Sequence, residues 1–586
     1  MTTTEFKQRT AGIIDVMPEE FDDFELQVKR FQAGEFDETE FLAYRLKQGV
    51  YGQRQPDAQM IRVKIPFGGL KADQMDALGE VSARFAPLNK GHVTTRENIQ
   101  YHHVKLQDAA HVMRVLGEVG LTTREACGNT VRNVTGCALA GVCSDELFDV
   151  TPYAAAYARY FVRHPYTQAL PRKVKTAFSG CARDCAITGI HDVGFIPKVE
   201  GGQRGFEIRV GGGTSIMPKI APTLYDFVPM DEYLKVTEAV LRIFHHTDWL
   251  RKNKMKARIK FHIAQVGIDA FREEVEEELR GDWAQRSFDP TSLLFIEDES
   301  IDAPPVNSVY GNGASSSEFE HWLETNVVDQ KQTGYKAVNV KLYQGDIQAD
   351  QFHKLADMAR KYAGGRARIT HQQNLTFRWV PEGALHSVWE ELNEIGFGQS
   401  GIHEISDVVS CPGTDSCKLG ITSSMGLGRA VMDKIEGMNI DDPLTRRMHV
   451  KMSGCPNGCG QHHVADIGFH GAASKAPSGQ VPAYELFLGG SYEEGDTRIG
   501  LRTRTKVPAK RVPDALEKVI KFYWAYREQG EEFKDFAARL GPKEFEPILQ
   551  EFKEVGELNR DTLQEYIDWD KTVKYKLERG EGECAV

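Results

Sequence analysis

Ser453-Gly454-Cys455-Pro456-Asn457-Gly458-Cys459-Gly460 sets two cysteines four apart in a frame of glycine and proline. The frame returns at an offset of 274 residues, as Ser179-Gly180-Cys181-Ala182-Arg183-Asp184-Cys185. Upstream, Cys411 and Cys417 repeat Cys137 and Cys143 at the same offset of 274, so eight of the ten cysteines obey one rule. Downstream, Asp466-Ile467-Gly468-Phe469 repeats Asp192-Val193-Gly194-Phe195. A period this long lies far beyond solenoid repeats and means two duplicated domains related by a pseudo-twofold, with one interface between the halves.

Outward from the cysteines the match continues. Strand-like Val63-Lys64-Ile65 corresponds to Val340-Lys341-Leu342. A helix with Leu78, Val81 and Phe85 inward corresponds to one with Leu355, Met358 and Tyr362. A second strand follows around Thr95-Arg96-Glu97-Asn98 in one copy and His371-Gln372-Gln373-Asn374 in the other. The pattern predicts an internally duplicated α+β chain. Turn formers from Asp302-Ala303-Pro304-Pro305 through Gly311-Asn312-Gly313 to Ser315-Ser316-Ser317 mark the connector. Beyond about residue 510 comes charged, helix-period text with Leu516, Val519, Ile520 and Tyr523, read as a helical tail without a counterpart in the first half.

At 586 residues the chain suggests two to four packed units. Its 84 acidic and 72 basic residues leave a net charge of -12, which argues against nucleic acid as the main partner. Any anion site must be built locally. Met1 to Gly12 lacks the basic and apolar regions of a signal peptide, and no apolar run approaches the roughly 18 residues of a membrane span. A cytoplasmic protein is expected. In that reducing compartment cysteines serve as thiolate ligands or buried thiols rather than disulfides.

Two short cysteine pairs on separate loops can surround an iron-sulfur cube while glycine and proline admit the backbone. Structural zinc accepts a pair four apart, but a pair six apart is unusual for it. Cys-Pro-Asn-Gly-Cys-Gly, together with the Cys411 pair, resembles the sirohaem-dependent sulfite and nitrite reductases, and the likeness runs from about Tyr51 to Pro508. The resemblance implies that Cys411, Cys417, Cys455 and Cys459 hold a [4Fe-4S] cluster. It further implies that Cys459 bridges to the sirohaem iron, with Asn457 at the cofactor. The implied order is an N-terminal extension (1–50), a ferredoxin-like half-domain (51–125), a reductase domain with the substrate-binding basic residues (126–300) and a linker (301–330). A second half-domain (331–404), a second reductase domain with the cluster ligands (405–510) and the helical tail (511–586) complete it.

Sulfite and nitrite are anions whose six-electron reduction consumes protons, so their pocket needs fixed positive charge that also donates hydrogen bonds. Arg96, Arg132, Lys173 and Lys175 match the family's substrate-binding quartet. Lys173 and Lys175, two apart on a strand, point to one side. The resemblance implies arginines that clamp the anion and lysines that bind it and relay protons; taken singly, each would be an ordinary solvated cation. Nitrite-specialised relatives tend to carry Asn where this chain has Lys175, which favours sulfite, with ferredoxin-dependent nitrite reduction as the alternative. The run Arg251-Lys252-Asn253-Lys254-Met255-Lys256-Ala257-Arg258-Ile259-Lys260 resembles a basic family segment near the cofactor, and Arg251, Lys252 and Lys254 are candidates for the sirohaem carboxylates. The same run also reads as a solvated face or a dock for an acidic electron donor. Gly211-Gly212-Gly213 and Gly489-Gly490 could admit cofactor carboxylates to backbone amides, or mark strand bulges.

Ligand spacing alone would place a second cluster at Cys137, Cys143, Cys181 and Cys185. The partners of a second haem are missing, because Arg96, Arg132, Lys173 and Lys175 correspond to Gln372, Ser406, Arg447 and His449. One catalytic centre is therefore expected, built from both copies. The first quartet stays open between inherited thiols and a cluster for electron transfer or structure. Cys127 and Cys584 fall outside both sets as ordinary thiols. No G-x-G-x-x-G follows a strand, so electrons must come from another protein, ferredoxin or else a flavoprotein subunit. The rival classes are a haem-free iron-sulfur electron carrier and a zinc-stabilised binding protein.

Overall fold

The computed structural model describes residues 12–286, 289–311, 313–493, 495–580 and 582–583. The readings of Cys584, of Asn312 in the connector and of the stretch before Gly12 fall outside these. The chain divides into two compact units, one of residues 1–213, 219–400 and 582–586, the other of 214–218 and 401–581.

In the first unit, β1 (Val50–Gly52), β2 (Ala58–Val63), β3 (Gly69–Lys71), β4 (Lys90–Val93) and β5 (Ile99–Lys105) precede β6 (Val131–Gly136), β7 (Val174–Phe178), β8 (Val193–Glu200), β9 (Gln203–Val210) and β10 (Thr223–Pro229). Then come β11 (Val327–Asp329), β12 (Tyr335–Val340), β13 (Asp346–Gln348), β14 (Arg366–Ile369) and β15 (Leu375–Pro381). The second unit holds β16 (Val409–Ser410), β17 (Val450–Ser453), β18 (Ile467–Ala476), β19 (Gly479–Leu488) and β20 (Leu501–Pro508).

Two sheets of the first unit run β1-β2-β5-β4-β13 and β11-β12-β15-β14-β3, so each half-domain lends one strand to the other. Asp346 pairs with His92 and Lys71 with Arg366, both antiparallel. Twin left-handed kinks feed the exchanged strands: Phe67 (φ 45°) with Gly68 (φ 68°), and Gln344 (φ 52°) with Gly345 (φ 74°). A Cβ on Gly68 would lie 2.3 Å from the Ile369 carbonyl oxygen, and one on Gly345 2.6 Å from that of Val93, so both positions require glycine. Helices Ala72–Phe85 and Ala349–Tyr362 follow, each opened by a capping box, Lys71 with Gln74 and Gln348 with Gln351. Met75, Leu78 and Val81 from one and Phe352, Leu355 and Ala359 from the other share one core, with Phe85 at its margin. Burying each larger side chain contributes roughly 1.5–3 kcal/mol.

The remaining sheets run β10-β9-β8-β7-β6 in the first unit and β16-β17-β18-β19-β20 in the second. In each, three strands are parallel and the rest antiparallel. The helical stretch does have a counterpart, which corrects the reading from sequence. Val512–Tyr526, Phe533–Leu540 and Pro542–Gln550 follow β20 as Tyr233–His246, Ile259–Val266 and Ile268–Leu279 follow β10. Gly541 (φ 75°) joins the last two helices as Gly267 (φ 88°) joins theirs, again 274 residues apart. Among the described residues no helix is long and apolar enough to cross a membrane.

Candidate active site

In the second unit the cysteine pairs leave the carboxyl ends of adjacent parallel strands, where α/β sheets place ligands. Cys411 follows β16 directly and Cys455 stands two residues beyond β17, whose Met452 pairs with Ser410. The loops are tied together: the Ile421 amide donates to the Gly454 carbonyl at 2.7 Å, and the Gly454 amide to Cys411 Sγ at 3.3 Å. Gly454 and Gly413 make that approach possible, since a Cβ on Gly454 would stand 2.6 Å from Gly413 Cα. Cys455 is buried, Cys411 and Cys417 are half-buried, and Cys459 is exposed. Burial, followed by the neighbouring Cys459, Cys417 and Cys411 sulfurs, raises the Cys455 thiol well above its ordinary range. Burial and Cys459 push Cys411 up to about 12.

Four crowded sulfurs resist ionising together unless a cation joins them, because thiolates are ligands only once deprotonated. Among the described residues no group of three or more His, Cys, Asp or Glu is set to hold a single metal ion. A cube asks something different, with each thiolate on its own iron. The donor set fits a [4Fe-4S] cluster, and exposed Cys459 has room for a second partner. Asn457 is half-buried, with its carbonyl oxygen 3.4 Å from the Ser215 hydroxyl that donates to it.

In the first unit the basic residues gather where β6 and β7 begin. Arg96 sits in the turn between β4 and β5 and spans both strands, donating to the Asn133 carbonyl at 2.5 Å, the Thr176 carbonyl at 3.1 Å and the Thr135 hydroxyl at 3.1 Å. Its guanidinium also meets His191 Nε2. Burial, then Arg96 and Lys175, hold His191 far below its ordinary pKa, so it faces Arg96 as a neutral acceptor. Arg132, on β6, is buried and donates to the Gly128 and Ala126 carbonyls, both at 2.8 Å. Lys173 and Lys175 are half-buried, Lys175 on β7 and Lys173 just before it.

Asp192 underlies this group. It accepts the Lys175 amide at 2.7 Å and a two-point ion pair from Arg258 at 2.7 and 2.6 Å. Of the basic run, Arg251, Lys252, Lys254 and Lys256 are exposed, whereas Arg258 and Lys260 are buried. Burial brings the Lys260 ammonium down to about 8, with its Nζ donating to the Gly213 carbonyl at 3.3 Å. The sequence reading did not name His191, took Asp192 only as a mark of the duplication, and chose Arg251, Lys252 and Lys254 rather than Arg258 and Lys260 from the basic run. The glycine runs answer to close backbone packing: a Cβ on Gly212 would lie 2.3 Å from the Gly189 oxygen, and one on Gly490 2.6 Å from the Ala465 oxygen.

A duplicated α+β chain with cysteine pairs on strand-end loops suited to an iron-sulfur cube points to an iron-sulfur oxidoreductase. Comparison then fixes the family. Residues 127–282 and 402–555 match the nitrite and sulphite reductase 4Fe-4S domain, and residues 51–119 and 328–395 match the nitrite/sulfite reductase ferredoxin-like half domain. This chain belongs to the nitrite and sulphite reductase family, whose members bind sirohaem and a [4Fe-4S] cluster. It is 31% identical to "Sulfite reductase [ferredoxin] 2" of Mycolicibacterium paratuberculosis, covering 82% of each chain. It is 28% identical to "Ferredoxin--nitrite reductase" of Synechococcus elongatus, over 79% of this chain and 86% of that one. The solved NirA protein of Mycobacterium tuberculosis superposes with a TM-score of 0.73 at 27% identity, over 87% of this chain and 92% of that one. The match to residues 402–555 also takes in the helices after β20, as the structural duplication does.

Proposed function

We propose that the protein reduces sulfite to sulfide with six electrons and six protons, releasing three waters, and that ferredoxin or a similar acidic one-electron carrier supplies the electrons. The carrying observation is Lys175, fixed through its amide by Asp192 and within electrostatic range of His191, which Arg96 contacts. Nitrite-specialised relatives tend to carry Asn there, and the sulfite reductase at 31% identity supports the same choice.

When bound, sirohaem with its cluster would pass the donor's electrons to the anion and offer it an iron. Cys411, Cys417, Cys455 and Cys459 would hold the cluster, and Cys459 the sirohaem as well. Arg132 and Arg96 provide positive charge; Arg96, held by four partners, acts chiefly by fixing the field. Lys173 and Lys175 hydrogen-bond the anion and pass protons to departing oxygens, since an ammonium, unlike a guanidinium, can release one. Buried Arg258 and Lys260 are better placed than exposed Arg251, Lys252 and Lys254 to offset cofactor carboxylates, which leaves the exposed lysines as the donor's dock. A cytoplasmic setting, where thiols stay reduced, suits the nine described cysteines, none of which is joined in a disulfide.

The test is steady-state kinetics with reduced ferredoxin, comparing sulfite with nitrite by kcat/KM. A higher value for sulfite is expected; a strong preference for nitrite would overturn the substrate assignment and leave the family standing.

A further inference from the structure

We propose that Cys137, Cys143, Cys181 and Cys185 hold a second [4Fe-4S] cluster, in the first unit and without a haem. Cys137 follows β6 directly and Cys181 stands three residues beyond β7, and these strands are parallel neighbours with Gly136 paired to Phe178. Two cysteine pairs thus leave the same end of one sheet, as they do in the second unit. The loops close on each other: a Cβ on Gly180 would lie 2.9 Å from Cys137 Cβ and 3.2 Å from its sulfur. The Gly180 amide donates to Cys185 Sγ at 3.3 Å, with the Ser179 hydroxyl 3.5 Å from the same atom. Cys185 reaches both Cys137 and Cys181, and Cys143 feels the Cys181 sulfur, so all four belong to one group.

Around the quartet the fold places arginines and loop tethers that a cluster can use. A cube held by four thiolates is anionic, and neighbouring cations and N–H donors stabilise it. Arg368 and Arg378, buried at 3% and 4% exposure, both feel Cys137. Arg378 donates to the Ala140 carbonyl at 2.5 Å, inside the loop from Cys137 to Cys143. The Lys331 amide pins the same loop at the Val142 carbonyl, at 2.8 Å, and the Gln332 side-chain amide holds the Gly141 carbonyl at 3.2 Å. Arg183 pairs with Asp145 and lies against Cys181, while Arg368 and Arg378 share Glu299, so the guanidiniums beside the quartet are partly compensated by carboxylates. Cys185 is half-buried where its twin Cys459 is exposed, which suits a cluster that bridges to nothing further.

The holoprotein, purified without oxygen, gives the test. About nine irons and about eight acid-labile sulfides per chain are expected, from two clusters and one sirohaem, against about five and about four from a single centre. Dithionite reduction should produce an additional cluster signal in electron paramagnetic resonance. Cys181→Ser with Cys185→Ser should lose that signal and about four irons, with the sirohaem absorption unchanged. The wild-type count stands even if the variant misfolds. About five irons in the parent, zinc in place of iron, or thiol titration that finds these cysteines free or paired as a disulfide would overturn the proposal.

Discussion

Asp192 shows how one carboxylate can organise a cationic site. Its side chain is 1% exposed, bound by two nitrogens of Arg258 and by the Lys175 amide. Arg258→Met would leave that charge buried and unpaired, which costs roughly 3–5 kcal/mol. Urea unfolding should show a loss of that size, and a midpoint equal to the parent's would remove Arg258 from the scaffold. Lys175→Met acts differently, since only its ammonium is lost. Turnover of sulfite should fall at least a hundredfold, the order of a lost proton donor, while the visible spectrum stays as in the parent. Normal turnover would take the lysine out of the proton path. Lys175 was legible in the sequence through its place in a known pattern. Arg258 was not: it is the fifth of six cations in one run, and charge alone does not say which members turn inward. Hydrophobic Ala257 and Ile259, both buried beside it, were the overlooked sign.

At the scale of elements, the cysteine loop of the second unit is strapped down from the chain's far end. Asp568 accepts the Ser423 amide at 2.7 Å, Lys571 pairs with Asp415 at 2.9 Å, the Tyr575 hydroxyl donates to the Ile421 carbonyl at 3.0 Å, and the Gly580 amide to that of Lys418 at 3.0 Å. Burial raises Asp568 from its ordinary value to about 6. Because the folded value exceeds the unfolded one, the neutral acid favours folding below about pH 4, and that contribution disappears as pH rises through 6. Asp568→Asn mimics the neutral form. It should match the parent below about pH 4 and be more stable at pH 8, by up to about 3 kcal/mol for a shift near two units. Thermal melts at both pH values check this; a gap independent of pH would show that Asp568 does not titrate as argued. In the half-domains, Gly345→Ala should destabilise by roughly 1–3 kcal/mol, because the new Cβ meets the Val93 carbonyl. Most strands and helices were readable from their periods, but the stretches around Thr95–Asn98 and His371–Asn374, read as strands, are the turns between β4 and β5 and between β14 and β15. Strand exchange was not, since a period of two gives a strand's faces and never its neighbour. The twin helices after β20 were passed over because their repeat is sparse: Lys260 with Lys534, Gly267 with Gly541 and Phe271 with Phe545 keep the interval amid text that mostly differs.

For the whole molecule, the duplication was legible because cysteines and glycines admit few substitutes, so eight sulfurs kept their interval while the surrounding surface drifted. Charge is the property that a whole-chain count misleads on most. A net charge of -12 would repel an acidic donor protein, yet Lys252, Lys254 and Lys256 stand exposed within five residues of one another. Arg251 beside them is turned to the Ala169 and His245 carbonyls, at 3.0 and 2.7 Å, leaving the three lysines as the patch. Such a patch steers an oppositely charged partner and sets the rate of encounter more than the chemistry that follows. Replacing all three lysines with glutamate should therefore raise KM for ferredoxin about tenfold or more at low salt, with kcat nearly unchanged. With a cationic dye such as reduced methyl viologen, which needs no such dock, turnover should equal that of the parent. Raising the salt to about 0.5 M, where exposed charges are largely screened, should bring the two proteins together. If the variant instead loses sirohaem absorption, these lysines serve the cofactor; if the ferredoxin KM is unmoved, the donor docks elsewhere.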